Sequence, residues 1–436
     1  MAKIGLLLNR RAFLKKTALA GVGLAAATAS VPALGAGDAN EKLVVAVMGL
    51  GRGMGHVSAL LKIPNVEIAY LCDVDMSRLE AGRKEVERSL NKAPPGAQDF
   101  RRILDDKAVD ALFIATPNHW HAPATILACA AGKHVYVEKP GSQNPAEGEM
   151  MVAAARKHRR TVQMGNQRRT WPSIREAIEK LHAGVIGRVT FARSWYSSLR
   201  PSIGRGTPAA PPPHLDYSLW QGPAPERPYK TNLIHYNWHW HWHWGNGELG
   251  NNGVHALDVV RWGLGVEYPT LVSFVGGRYA FDDDQETPDT GVATFQFGGS
   301  GFGGTGATWE GSSCHQRRGE ELPFVAFYGE GGVLAITDPG YKILDSKGKV
   351  ITENPGEGGD VSHIKNFLAA IRGKEKANSE IEEAQKSTLL CHLGNISYRL
   401  GRTVRFDPQA RKILGDREAE RYWSREYRAG WKVGES

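Results

Sequence analysis

The chain has 436 residues, 41% apolar and 23% charged, with 12 Trp and 13 Tyr, which excludes a disordered or fibrous protein and leaves room for two or three domains. No apolar run reaches the roughly 18 residues a membrane helix requires, so an integral membrane span is excluded. The net charge of +8 invites a nucleic-acid partner, but Lys3, Arg10, Arg11, Lys15 and Lys16 stand in residues 1–36 without one acid, and the remainder is close to balanced. With no RNA- or DNA-binding motif either, nucleic acid is not an expected partner.

Residues 9–16 read Asn-Arg-Arg-Ala-Phe-Leu-Lys-Lys, followed by a weakly apolar stretch from Thr17 to Ala27 and the small residues of Pro32-Ala33-Leu34-Gly35-Ala36. This order is that of a secretory signal, and Arg10-Arg11 before Phe13-Leu14-Lys15 resembles the twin-arginine signals of the bacterial Tat route. Residues 1–36 are therefore expected to be removed, leaving a periplasmic or exported protein without a membrane anchor. Cys72, Cys129, Cys314 and Cys391 have no metal-knuckle or redox spacing and are expected as buried free thiols.

Leu43–Met48 is a continuous apolar run suited to a central parallel strand. It breaks into Gly49-Leu50-Gly51-Arg52-Gly53-Met54-Gly55 and then a helical pattern. Glycines here let the backbone approach a pyrophosphate at a helix N-terminus. Met54 departs from the Gly or Ala usual at the sixth position. The next strand, Val66–Leu71, ends at Cys72-Asp73, where an acid accepts the ribose hydroxyls and repels a 2′-phosphate, so NAD is favoured over NADP.

Further strands are predicted at Val109–Ala115, His134–Val137 and Thr161–Met164, with helices at Ala124–Ala131 and Ala146–His158. The first of these strands leads into Thr116-Pro117-Asn118-His119-Trp120-His121 and the second into Glu138-Lys139-Pro140. Polar clusters directly after parallel strands sit at the carboxyl edge of a doubly wound sheet, where ligands bind.

These segments, with the glycine turn, Asp73, Gly165-Asn166-Gln167-Arg168-Arg169 and Gly184-Val185-Ile186-Gly187, resemble the Gfo/Idh/MocA oxidoreductases, a family that includes glucose–fructose oxidoreductase. The resemblance runs from about residue 42 to the C-terminus. It implies a Rossmann domain over 42–165, then an α/β domain over 166–436 with a large open, mainly antiparallel sheet. It places Thr116, Pro117, Asn118, His119, His121, Glu138, Lys139, Pro140 and Arg168 against the cofactor, with Lys139 and Arg168 also reaching substrate. A homodimer or homotetramer follows from the same resemblance.

In the second domain, Ile174, Ala177, Ile178 and Leu181 mark one helix face and Ile364, Phe367, Leu368 and Ile371 another; strands are predicted at 188–196, 270–276, 290–298 and 324–328. The C-terminal third is polar and Arg-rich and reads as a packing or oligomer-contact tail. Eight of the 23 prolines fall between 197 and 230, a loop long enough to be functional or to reach a neighbouring subunit.

Trp238-His239-Trp240-His241-Trp242-His243-Trp244 follows. In a strand His239 and His243 stand about 13 Å apart, and in a helix His241 faces away, so the three do not converge on one zinc with bonds of about 2 Å. No metal is assigned. Indole faces stack on sugar C–H surfaces and imidazoles bond hydroxyls, which makes Trp238, His239, Trp240 and His241 candidate substrate contacts.

In the family an Asp and a His four residues later complete a triad with the lysine. Here His255 matches the histidine, while the Asp position holds Asn251, which holds a hydroxyl but takes no proton. Proton removal then falls to His255 or Lys139, with His255 preferred for its near-neutral pKa. The expected activity is NAD-dependent oxidation of a secondary hydroxyl of a sugar, glycoside or cyclitol, with the cofactor tightly bound because export separates the protein from the cytoplasmic NAD pool. Two alternatives stand beside it. One is a redox-neutral glycosidase working by transient sugar oxidation, although the relatives of that kind alter the lysine motif that is intact here. The other is a non-catalytic, NAD-containing sugar-binding protein.

Overall fold

The structure, a computed structural model, describes residues 42–299, 301 and 303–431; the expected leader lies outside the described residues. The first sheet is built from β1 (Leu43–Met48), β2 (Val66–Cys72), β3 (Gly96–Ala97), β4 (Ala111–Ile114), β5 (His134–Val137) and β6 (Val162–Met164). All pairs are parallel, in the order β3-β2-β1-β4-β5-β6. Helices cover both faces, so Val45, Ala46, Val47, Leu112, Phe113 and Val137 are fully buried, which is why these strands read as unbroken apolar runs. The order reverses between β1 and β4, opening a crevice beyond their carboxyl ends.

Local chemistry sets the helix starts. The Asp75 carboxylate accepts from the amides of Ser77 and Arg78 to begin the helix Met76–Leu90, and Asn144 accepts from Glu147 ahead of Pro145 to begin Pro145–Lys157. The helix expected from Ala124 begins earlier, at Asn118, because Pro117 supplies a non-helical cap and the polar residues behind it form the first turns.

The second sheet contains β7 (Val189–Ser197), β8 (Leu271–Gly277), β9 (Thr290–Phe297), β10 (Thr305–Ser312), β11 (Val325–Gly329), β12 (Gly332–Ile336), β13 (Tyr341–Asp345), β14 (Val350–Asn354), β15 (Val404–Asp407) and β16 (Lys412–Ile413). Its order is β14-β13-β12-β11-β7-β10-β9-β8-β15-β16. Only β7 and β10 pair in parallel among the described strands. The helices Pro172–His182, Val254–Leu264 and Ile381–Leu400 pack on one face, burying Ile174, Ala177, Ile178 and Leu181 as their spacing predicts. Val275 and Val292 are exposed on other positions of the sheet.

The reading of the C-terminal third as a tail is corrected here. Ile381–Leu400 is a core helix whose Ser387, Thr388, Leu390, Cys391 and Leu393 are fully buried. Burial around most of its circumference removes the one-sided stripe by which such a helix is recognised. The segment after it does pack as a tail, on its own chain: Arg428 donates to Ser218 O and Oγ at 2.9 and 3.0 Å, and Trp431 meets Trp120 edge-on.

Candidate active site

A cavity of about 720 Å³ crosses the carboxyl ends of β2, β1, β4 and β5, within the range that holds small molecules and cofactors. Four adjacent strands span about 14 Å, so Asp73 at one end and Lys139 at the other are separated by a dinucleotide-scale distance.

At the middle lies the glycine turn. Gly49 has φ +86°, and a Cβ there would stand 2.6 Å from Ala115 O, so only glycine fits between the strands. The Leu50 amide donates to Asp73 Oδ2 at 2.7 Å, fixing the turn to the end of β2. The amides of Gly51 and Arg52 have no acceptor among the described residues, and the Thr116 hydroxyl on the same wall is buried without a partner. Free donors at a helix N-terminus and an orphaned hydroxyl are what a dinucleotide would satisfy. Burial pushes the Asp73 carboxyl up, against the amides of Leu50 and Asp75 and the charge of Arg78.

At the far end, Lys139 Nζ donates to Asn251 O at 2.7 Å and to Asn251 Oδ1 at 2.9 Å. Burial lowers its pKa from the ordinary lysine value, against the opposing charges of Glu138 and Glu248. Burial alone would raise Glu138, but the His56 ring at 2.9 Å and Arg52 Nε at 3.1 Å hold it well below the usual carboxylate range. Arg52 also donates to Asp360 at 2.7 Å, tying the glycine turn to the start of the helix Val361–Ile371.

His239 shares this wall. Its Nδ1–H donates to Tyr236 O at 2.6 Å, which leaves Nε2 as an acceptor, and its ring stacks on Trp238 at 3.6 Å. Burial pushes its pKa down to about 3, with Lys139 and Arg200 adding to the effect.

Of the residues expected at the cofactor, the structure brings Gly49, Gly51, Arg52, Asp73, Thr116, Pro117, Asn118, His121, Glu138 and Lys139 to the cavity wall; of those expected at substrate, Trp238, His239 and Asn251. Leu50, Gly53, Met54, His119, Pro140, Arg168, Trp240, His241 and His255 are not on it. Gly53 lies 3.0 Å, at an added Cβ, from Val47 and so serves helix–sheet packing, while Met54 packs toward Gly82 of the helix Met76–Leu90. His119 bonds Trp220 O at 2.8 Å, and Pro140 O accepts from His121 at 2.7 Å. Arg168 makes a two-pronged bond to Asp338 at 3.0 and 2.6 Å and covers Phe324, which holds it in the second sheet's surroundings. Trp240 is buried beneath Arg200, His241 faces Glu286 at 3.6 Å, and His243 bonds Pro225 O, so the Trp-His run sends its side chains several ways. His255 Nδ1 is buried without a partner, and burial holds its pKa well below the usual histidine range, with Arg168 and Lys139 contributing. Asp258 is a buried partner of Arg169, with both bonds at 2.8 Å.

The wall also contains Arg78, Phe100, Arg200, His235, Tyr236 and Asn252. Arg200, His235 and Tyr236 come from or beside the proline-rich loop, which folds over the end of β2: Met76 N donates to His214 O and Asp216 N to Val74 O. No local motif marks these residues, because the loop brings them across from the second domain. Arg78 alone had a signal, one helical turn after the Asp75 cap.

Two sequence profiles of one oxidoreductase family match the chain: the NAD-binding Rossmann fold over 43–166 and the C-terminal alpha/beta domain over 202–282 and 346–433, together more than half of it. The chain is 31% identical over 209 residues to a glycosyl hydrolase family 109 protein of Saccharopolyspora erythraea, covering 43% of this chain and 45% of that one. It is also 31% identical over 155 residues to the scyllo-inositol 2-dehydrogenase (NAD(+)) of Bacillus subtilis, 34% and 43% of the two chains. The chain thus spans under half the length of these curated relatives. The aldose-aldose oxidoreductase of Caulobacter crescentus, solved with glycerol, superposes with a TM-score of 0.65 over 84% of this chain and 100% of that one; at 20% identity the likeness is one of fold.

Proposed function

Because the chain belongs to the Gfo/Idh/MocA oxidoreductase family, whose Rossmann domain binds NAD(H), we propose that it oxidises a secondary hydroxyl of a sugar, glycoside or cyclitol with NAD, rather than NADP, held tightly in the cleft. The observation that carries this reading is the single cavity wall shared by Asp73, the glycine turn, Lys139 and His239. NAD, when bound, supplies the hydride acceptor. The Asp73 carboxylate takes the ribose hydroxyls and disfavours a 2′-phosphate.

Lys139 holds the carbinol oxygen and stabilises its developing negative charge. The hydroxyl proton passes to His239 Nε2, the acceptor that the Tyr236 carbonyl leaves free. Burial, with the charges of Lys139 and Arg200 adding to it, keeps this ring neutral at rest; negative charge building on the substrate oxygen raises its basicity as the proton arrives. The family motif points to His255, a half-buried ring that feels the charges of Arg168 and Lys139; His239 is favoured here because it lines the cavity together with Lys139. Asn251 anchors Lys139 rather than exchanging a proton.

The twin-arginine leader supports a periplasmic site of action, and the loop folded over β2 supports a cofactor retained there. A homodimer or homotetramer is our reading of the assembly. Likeness to a glycosyl hydrolase family 109 protein favours a second reading, redox-neutral glycoside cleavage. The test is to denature the purified protein and quantify released nicotinamide by mass, then assay the intact protein on paired sugar–carbonyl substrates and on nitrophenyl glycosides. Net sugar oxidation supports the first reading and aglycone release without net NADH the second. Sugar binding without turnover leaves a binding protein, and failure to bind NAD refutes all three.

A further inference from the structure

A second cavity, of about 440 Å³, opens at the other end of the Trp-His run, walled by Trp242 and His243 instead of Trp238 and His239. Four guanidiniums meet there, Arg227, Arg399, Arg421 and Arg425, against Glu286 and Glu426. Glu286 is already engaged: it accepts from Trp242 N at 2.7 Å and lies 3.6 Å from His241 and 3.9 Å from Arg227. No carboxylate stands within ion-pair distance of Arg399, Arg421 or Arg425 among the described residues.

Arg399 is held between aromatic rings, its guanidinium carbon 3.9 Å from the centre of Tyr422 and 5.2 Å from that of Trp242. Arg425 donates Nε only to the Glu426 carbonyl at 3.3 Å, and its Nη1 is buried without an acceptor. Arg52, Arg169 and Arg200 keep their protons more firmly than free arginine because carboxylates oppose their burial. Arg399 and Arg425 go the other way: burial lowers both, and the charges of Glu286 near Arg399 and Glu147 near Arg425 offset it only in part. A buried N–H such as Arg425 Nη1 is costly unless an acceptor meets it, and guanidinium forks match carboxylate and phosphate oxygens.

We propose that this cavity binds an oxyanion, the carboxylate or phosphate of a small molecule, between Arg425, with its buried Nη1, and Arg399 on the ring-lined rim, with Arg421 contributing. The site is separate from the cofactor cleft but not remote from its chemistry. Gln143 and Asn144 in its wall lie on the segment that leads away from Lys139, and Gln143 Nε2 donates to Trp242 O at 2.9 Å.

The experiment is calorimetric titration of the full chain, saturated with NAD so that the glycine turn is filled, with sodium phosphate and with sodium glucuronate over a constant chloride background. Wild-type protein is expected to bind at least one of them at a single site. Arg399→Gln and Arg425→Gln should each weaken that binding at least tenfold while NAD affinity is unchanged, and Arg421→Gln about threefold. Arg399→Lys and Arg425→Lys, which keep the charge and guard against misfolding of the neutral variants, should retain measurable binding. Phosphate alone binding identifies a phosphoryl ligand and glucuronate alone a sugar acid, and either upholds the site. Wild-type binding of neither anion, or binding unchanged in a folded Arg399→Gln/Arg425→Gln double variant, overturns it.

Discussion

The His235 ring donates from Nε2 to the Asp75 carboxylate across 2.8 Å, joining the loop of the second domain to the end of β2 at the rim of the cofactor cleft. His235→Ala removes this contact and leaves the Asp75 helix cap in place. A hydrogen bond to a charged group contributes about 1.5 kcal/mol, so cofactor dissociation should quicken roughly tenfold. The check is the fluorescence decay of bound NADH diluted into excess NAD; an unchanged rate would mean the loop does not retain the cofactor. Burial would raise the Asp75 carboxyl, but the amides of Arg78 and Ser77 and the His235 ring outweigh it and hold its pKa low. The contact therefore stands at neutral pH, and retention should fail only as pH drops below about 3.9.

Lys139→Ala should lower kcat by about a hundred- to a thousandfold, the cost of losing one donor to a developing oxyanion. Bound cofactor, measured on denatured protein, should persist. Parallel loss of cofactor would place Lys139 in binding instead.

The two histidines are separable by rate. His239→Asn should reduce kcat at least a hundredfold and His255→Asn less than tenfold. The reverse ranking would return proton transfer to His255. Because His239 is active when neutral and its pKa is depressed to about 3, activity should be lost on the acid side well below the usual histidine value of about 6.5. Lys139 acts while protonated and its pKa is also lowered, so the alkaline limb should fall below about 10.4.

The parallel sheet was readable because β1, β4 and β5 are buried on both faces and their runs are uninterrupted. The helix Pro172–His182, with one apolar face, was equally plain. β10 escaped notice because Thr305-Gly306-Ala307-Thr308-Trp309-Glu310-Gly311-Ser312 is rich in small residues and follows a glycine-rich stretch. At the site, order along the chain marks Asp73 and the clusters after β4 and β5 as residues of the sheet's carboxyl edge, and the family resemblance supplies their roles. What order does not carry is the direction of a side chain: Trp240 and His241 differ from Trp238 and His239 only in where a short helical turn and the bend after it aim them.

Cofactor choice should respond to Asp73→Ser. Arg78 on the same wall has no side-chain hydrogen-bond partner among the described residues, so losing the acid should raise NADP affinity by more than tenfold, and adding Arg78→Ala should cancel the gain. Titration of each variant with both cofactors decides it; a Ser variant that still excludes NADP would place the discrimination elsewhere.

Asp258→Asn should destabilise the protein by about 3–5 kcal/mol, since it leaves Arg169 buried without its counter-charge. Denaturant melts should register the loss while NAD affinity holds. Burial would raise the Asp258 carboxyl, but Arg169 outweighs it and lowers its pKa, so this contribution is present above the unfolded value of about 3.9 and disappears as pH falls through the lowered one.

The one parallel pairing among the described strands of the second sheet has a temporal meaning. β7 leaves the ribosome long before either neighbour, for β10 and β11 both lie more than a hundred residues further along. At about 5–20 residues per second, its two unpaired edges wait on the order of ten seconds during synthesis. Over that interval the nascent chain depends on something else to shield them, and misassembly of a half-made sheet is a hazard set by strand order, not by the stability of the finished protein.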